Sequence, residues 1–312
     1  MLHNIKLYGK IKNQNKVGDI TVNNTKNNSI LKYGLTAVAI CFIISTIYFM
    51  QFSLDETVFL NHYYEINIHD GSYMHIHFVA NSYDDRKITS ISFPQLPDDF
   101  FVEIDYFSNG FDNGYYRSEK FAHYNYNVLT VLLRYNDNDM DEKKEESIIL
   151  DKALISYNNG DSQEVHIGKI ILHKNMKTDD FFDSSYSSSS NDFTSTTVIK
   201  PSKDVVIEKI TSDLDAESNG FLESTLNNVN IDKLLYPLSV KTGDSLVLDS
   251  RFLYDSKDVK KYNVYEIQKK IYSKDEEGNS GYSNIYNISY EPFEIFISEK
   301  GISDYLKYRG VK

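Results

Sequence analysis

Seven of the eight histidines lie between His62 and His173, and none follows His173. The tightest group is His75-Ile76-His77, whose alternation puts both imidazoles on one side of an extended strand and Ile76 on the other. Upstream, Tyr64-Glu65-Ile66-Asn67-Ile68-His69 alternates in the same way, and Asp70-Gly71-Ser72 between the two runs reads as a turn. A three-residue loop at 70–72 sets Ile68 against Met74 and Ile66 against Ile76 on one face. A two-residue loop would set these pairs on opposite faces, which a half-buried sheet disfavours. In the three-residue register Asn67 stands beside His75 and Glu65 beside His77. Glu65, His75 and His77 then form a donor set suited to zinc or copper. The plain alternative is two histidines on a solvated strand face.

Other candidate chemistry is incomplete. Asp137-Asn138-Asp139-Met140-Asp141 opens like a calcium loop, but the sixth position is Glu142 instead of glycine and the twelfth is Ile148 instead of glutamate. Gly243-Asp244-Ser245-Leu246 spells a hydrolase signature, yet Leu246-Val247-Leu248 continues as a strand where a helix is needed, and no histidine follows. No G-x-S-x-G, P-loop, H-E-x-x-H or C-x-x-C occurs. The sequence therefore reads as non-enzymatic and without a cofactor. A better surface is Tyr106–Tyr126, eight aromatics around two Asn-Gly turns, the composition of adaptable binding loops. Tyr115 and Tyr116, beside the second turn, are the expected partner contacts.

The element that positions all of this is Tyr33–Phe52, free of charge and proline and about 30 Å long as a helix. Tyr33, Leu35, Ile40, Ile44, Tyr48 and Phe52 are its expected membrane contacts, the two tyrosines at the interfaces. No A-x-A-like site follows the run, and Cys41 lies in its middle, badly placed for lipid attachment, so the expectation is an uncleaved signal anchor. Residues 1–32, six lysines against one aspartate, read as a flexible cytoplasmic tail. Their net charge of +5 in a chain of −12 leaves −17 for residues 53–312. Positive flanks stay inside, which places the rest of the chain outside the cell membrane. An acidic body of this kind argues against nucleic acid as a partner.

The single cysteine excludes a disulfide framework, and the Asn, Lys, Ile and Tyr usage suggests a bacterial chain. Strand-like runs continue at 87–93, 100–106, 127–135, 147–157 and 163–173, with Asn159-Gly160 as a hairpin turn. They resume at 204–210, 237–241, 245–254, 262–273, 283–290 and 294–298, with a short helix near 231–235 and one or two turns at 303–309. The predicted fold is all-β: two tandem antiparallel β-sandwiches of immunoglobulin-like architecture, 56–176 and 198–312, after the transmembrane helix at 33–52. The Ser/Thr/Asp-rich stretch 177–197 is the expected linker or loop between them. The functional expectation is a single-pass, membrane-anchored extracytoplasmic interaction protein with a protein or envelope partner. Its alternatives are a small-ligand module for metal or wall glycan, and a sensor subunit of a membrane complex.

Overall fold

The computed structural model describes residues 24–68, 71–105, 117–135, 146–174, 181–254 and 257–312. Two compact units divide the chain, Met1–Ser53 and Leu54–Lys312.

The first unit holds helix α1 (Asn24–Phe52). Its segment Leu31–Phe52 is 22 residues long and apolar enough to cross a membrane, the property of an anchor or of a signal sequence. Among the described residues Tyr33, Leu35, Ile40, Ile44 and Tyr48 are exposed, and Phe52 is half-buried. The hydroxyls of Thr36 and Thr46 donate to the carbonyls of Lys32 and Phe42, at 2.9 and 2.8 Å, so neither needs water. The helix starts earlier than the apolar run. Residues 24–32, expected in a flexible tail, form its first turns, because Lys and Asn continue a helix that propagation already favours.

The second unit is built mainly of strands. Its first half contains β1 (Val58–Phe59), β2 (His62–Asn67), β3 (Ser72–Asn81), β4 (Ile88–Ser92), β5 (Phe100–Ile104), β6 (Arg117–Lys120), β7 (Tyr124–Tyr135), β8 (Glu146–Tyr157) and β9 (Ser162–Lys174). Its second half contains β10 (Phe182–Ser189), β11 (Thr194–Pro201), β12 (Val205–Thr211), helix α2 (Asp215–Ser218), β13 (Leu222–Leu226) and β14 (Val229–Asn230). Strands β15 (Leu238–Val240), β16 (Leu246–Phe252), β17 (Val264–Asp275) and β18 (Ser280–Tyr290) follow, and helices α3 (Phe293–Phe296) and α4 (Glu299–Tyr308) close the chain.

Among the described residues the strands form three sheets. One runs β1-β3-β7-β5, with β6 also on β7; another runs β10-β11-β16-β13-β14. The third, of eight strands, runs β15-β12-β17-β2-β9-β8-β4, with β18 on the other side of β17. The sandwich architecture thus appears in both halves, but the two sandwiches share this large sheet. Strand β2 from the first half lies parallel to β17 from the second, Val264 against His62 and Glu266 against Tyr64, and parallel to β9 on its other side. The apolar clusters of the second half link strands of this sheet, through Ile207, Ile267 and Ile271, to Ile199, Leu248 and Phe252 of the sheet facing it. Residues 56–176 and 198–312 both lie within the compact unit Leu54–Lys312.

Four local expectations change with this topology. Strands β2 and β3 do not pair with each other: β3 pairs with β1 and β7, because β2 is buried on both faces and sits inside the large sheet. The part of the expected linker that is described, from residue 181 on, forms the β10–β11 pair. Its serines make an exposed edge strand whose hydroxyls bond within the pair, as Ser185 Oγ to the Val198 carbonyl at 3.1 Å and Ser195 Oγ to the Ser188 carbonyl at 3.2 Å. Runs 237–241 and 245–254 enter different sheets instead of pairing, β15 beside β12 and β16 beside β11. Residues 294–298 are not a strand: α3 forms there and Ser298 caps α4, its hydroxyl accepting from Gly301 N at 3.1 Å. The Asn159-Gly160 turn forms as expected, with Gly160 at φ +90°.

Candidate functional site

The imidazole that links two sheets is that of His62, while His75 and His77, the expected metal pair, bond within the β3–β7 pair. His62 is fully buried, and its Nδ1 lies 3.1 Å from the Ile167 carbonyl of β9 while its Nε2 accepts from His77 N of β3 at 2.9 Å. These two bonds fix a neutral imidazole protonated at Nδ1. Burial lowers its pKa to about 3, against a smaller raising effect of the Ile167 carbonyl. The contact is close enough to require Gly168, at φ +101°, because a Cβ there would lie 2.4 Å from the His62 carbonyl oxygen. His77 is also fully buried, its Nδ1 2.6 Å from the Tyr126 hydroxyl and its Nε2 without a partner among the described residues. Burial, then the neighbouring His62, His75 and Arg117, holds its pKa well below the usual value. His75 meets Thr130 Oγ1 at 3.2 Å.

Glu65 does not join them. Tyr64 reaches across to the His75 carbonyl, at 2.7 Å, so the next residue of the strand, Glu65, points to the opposite face. There it closes a fork. One edge of β17 pairs with β2 at Val264–Glu266 and with β12 at Lys270–Asp275, leaving the Gln268 N–H between them without a ladder partner. Glu65 Oε2 accepts that N–H at 3.0 Å, and Oε1 accepts Ser212 Oγ at 2.7 Å and Leu214 N at 3.1 Å. Burial raises its pKa, opposed by these hydrogen bonds and by Lys270. The expected metal set of Glu65, His75 and His77 is therefore not assembled, and no group of three metal-binding side chains occurs among the described residues.

Beside the fork lie a serine, a histidine and an aspartate. Ser147 Oγ is 2.9 Å from His173 Nδ1, and His173 Nε2 is 3.4 Å from Asp213 Oδ2. Sequence spacing gave no sign of this trio, which three distant segments supply. Its electrostatics are unlike those of a nucleophile and its base. Lys270 Nζ lies 3.4 Å from the same Nε2 and ion-pairs with Asp213 at 2.5 Å. Burial first, then Lys270, lowers the His173 pKa to about 4 against the pull of Asp213, too low for a base working near neutrality.

A cleft of about 520 Å3 lies elsewhere in this unit. One wall is the β10–β11 turn from Ser189 to Ser195; the other is Ser289, Glu291, Phe293 and Glu294, with Arg117 also in the lining. The turn is rigid. Ser190 N donates to the Thr194 carbonyl and Phe193 N to the Ser190 carbonyl, each at 3.0 Å, and Asp192 Oδ1 accepts the Thr194 hydroxyl at 2.7 Å. Phe193 holds φ at +59°, uncommon for a bulky residue, with its ring packed on Tyr254 and Tyr290 at 5.2 and 4.7 Å. Across the cleft the Arg117 guanidinium stacks 4.0 Å over the Phe293 ring.

Of the expected aromatic surface, Tyr115 and Tyr116 lie outside the described residues, as does Asp137–Asp141. Tyr124 and Tyr126 are core residues, about 1% or less exposed. Ser245 leads into β16, as the strand reading required.

No family model matches the chain, and no curated protein matches it. Among solved structures, one of a protein of unknown function from Porphyromonas gingivalis W83 is similar at 12% identity over 73% of this chain and 97% of its own, with a TM-score of 0.23. The D00-D0 domain of Intimin is similar at 10% identity over 76% of this chain and all of its own, with a TM-score of 0.20.

Proposed function

We propose that the protein is a single-pass, membrane-anchored, non-enzymatic binding protein whose β-rich unit lies outside the cell membrane. The observation that carries this reading is the uncovered apolar surface of Leu31–Phe52, which is 0% buried and has no charged residue after Lys32. In water such a surface is strongly unfavourable, and in a bilayer it is matched. The +5 charge of residues 1–32 supports a cytoplasmic N-terminus. The non-enzymatic part rests on the site chemistry: His62, His75 and His77 are bound into the fold, and His173 is a weak base. The partner on this reading is a protein or another envelope component. Arg117, in the cleft lining, follows directly on Tyr115 and Tyr116.

Cys41, the chain's only cysteine, tests the anchor. In native membranes it is expected to resist a water-soluble maleimide at neutral pH and to react once detergent and denaturant are added. Equal labelling before and after solubilisation would contradict the anchor.

A further inference from the structure

We propose that the cleft between the β10–β11 turn and α3 binds an oligosaccharide that is neutral or carries amines. The inference rests on the reading of the chain as a binding protein and names its ligand class. Five side chains make the case. The carboxylates of Glu291 and Glu294 accept no hydrogen bond and form no ion pair among the described residues, and the Arg117 guanidinium, stacked on Phe293, has neither there. Asn191 and Ser289 likewise have no side-chain hydrogen bond among the described residues. Elsewhere in this unit carboxylates and cations find each other readily, as Asp84 with Arg86 at 2.7 Å and Asp275 with Lys203 at 2.7 Å.

The unpaired groups are mixed in kind. Two carboxylates accept, a guanidinium donates through a planar fork, and an amide and a hydroxyl do both. Neighbouring ring hydroxyls, each donor and acceptor at once, match this mixture better than a ligand of one polarity. The three charged groups sum to −1, which disfavours phosphate, sulfate and uronate and suits a neutral sugar or an amino sugar. The cleft volume of about 520 Å3 lies inside the range of small-ligand sites. The hydrogen bonds within the turn already define one wall without a ligand, which lowers the ordering cost. One face of Phe293 is already covered by Arg117, and the ring of Phe193 is engaged by two tyrosines. Little aromatic face remains for stacking, so affinity is expected to be modest, with a Kd of order 0.1 mM.

The test uses the full chain in nanodiscs and ligand-detected NMR with three probes: chitotetraose, its fully de-N-acetylated amine form, and tetragalacturonate. One of the first two is expected to bind and the uronate is not. Arg117→Ala and Glu291→Gln are each expected to weaken binding at least tenfold, and Asp232→Asn, in a second cleft of about 390 Å3 that Asp215, Asp232 and Lys269 help to line, to leave it unchanged. Melting temperatures of all variants within a few degrees of the parent protein establish that the fold is retained. Binding of the uronate alone, or binding that neither cleft variant weakens, would overturn the proposal. If no sugar binds but crosslinking in membranes captures a protein partner, the ligand class fails and the binding-protein reading stands. If neither is found, both fail.

Discussion

Acidification from pH 7 to pH 5 is expected to weaken the Leu54–Lys312 unit through its buried histidines, of which His62 is the clearest case. A folded pKa of about 3 against an ordinary 6.5 means that His62 stays neutral in the fold while the unfolded chain takes up a proton. The unfolded state therefore binds more protons between these values. The stabilisation is fully present above pH 6.5 and is lost as pH falls toward 3, at ~1.4 kcal/mol per unit. At pH 5 the loss from His62 is about 2 kcal/mol, a large part of a typical net stability. His77 and His173, both lowered, act in the same direction. Glu65, with a raised pKa, acts oppositely, since its folded form holds a proton to higher pH. Asp204 and Asp275, lowered by their lysine partners, add to the loss only below the ordinary carboxylate value. The assay is urea unfolding of the full chain in detergent at pH 7, 6 and 5, followed by far-UV circular dichroism, since the chain has no tryptophan. His62→Gln is expected to lower stability at pH 7 and to shrink the drop between pH 7 and pH 5 by about 2 kcal/mol. An unchanged drop in that variant would refute the reasoning.

Glu65→Ala leaves the buried N–H groups of Leu214 and Gln268 without an acceptor and is expected to cost about 3–5 kcal/mol in the same unfolding assay. Glu65→Gln should cost less because one acceptor oxygen remains, and a loss below about 1 kcal/mol for the alanine variant would remove the fork account. Gly168→Ala forces a Cβ against the His62 backbone at a positive φ and is expected to destabilise by more than about 2 kcal/mol, with an accelerated loss on acidification. A neutral result there would mean that the His62–Ile167 contact is not held as described.

How much of this was legible in the sequence differs by level. The helix was, because uniform apolarity over twenty residues has one common meaning. Strand content was too, since period-two alternation reports a pleated backbone, and Gly160 and Gly278, at φ +90°, sit in the turns that Asn-Gly and Gly-rich spacing marked. Pairing was not. Alternation says that 62–67 and 72–81 are strands but not that β2 lies between β9 and β17, partners about 100 and 200 residues away. The signal lies in Glu65 itself, a carboxylate in a strand otherwise made for burial, whose type fits a buried acceptor as well as a metal ligand. Serine-rich 182–189 looked like a linker because an edge strand with one paired side can be as polar as a loop. The cleft brings Arg117, the 189–195 turn and 289–294 together from three separate segments, so no local spacing announces it.

The most direct test of the anchored, outward-facing arrangement is the sidedness of two single cysteines in a Cys41→Ser background, Asn13→Cys before the helix and Lys120→Cys on β6. A membrane-impermeant maleimide added to intact cells is expected to label position 120 and spare position 13 until the membrane is opened. Labelling at 13 with protection at 120 would contradict the account.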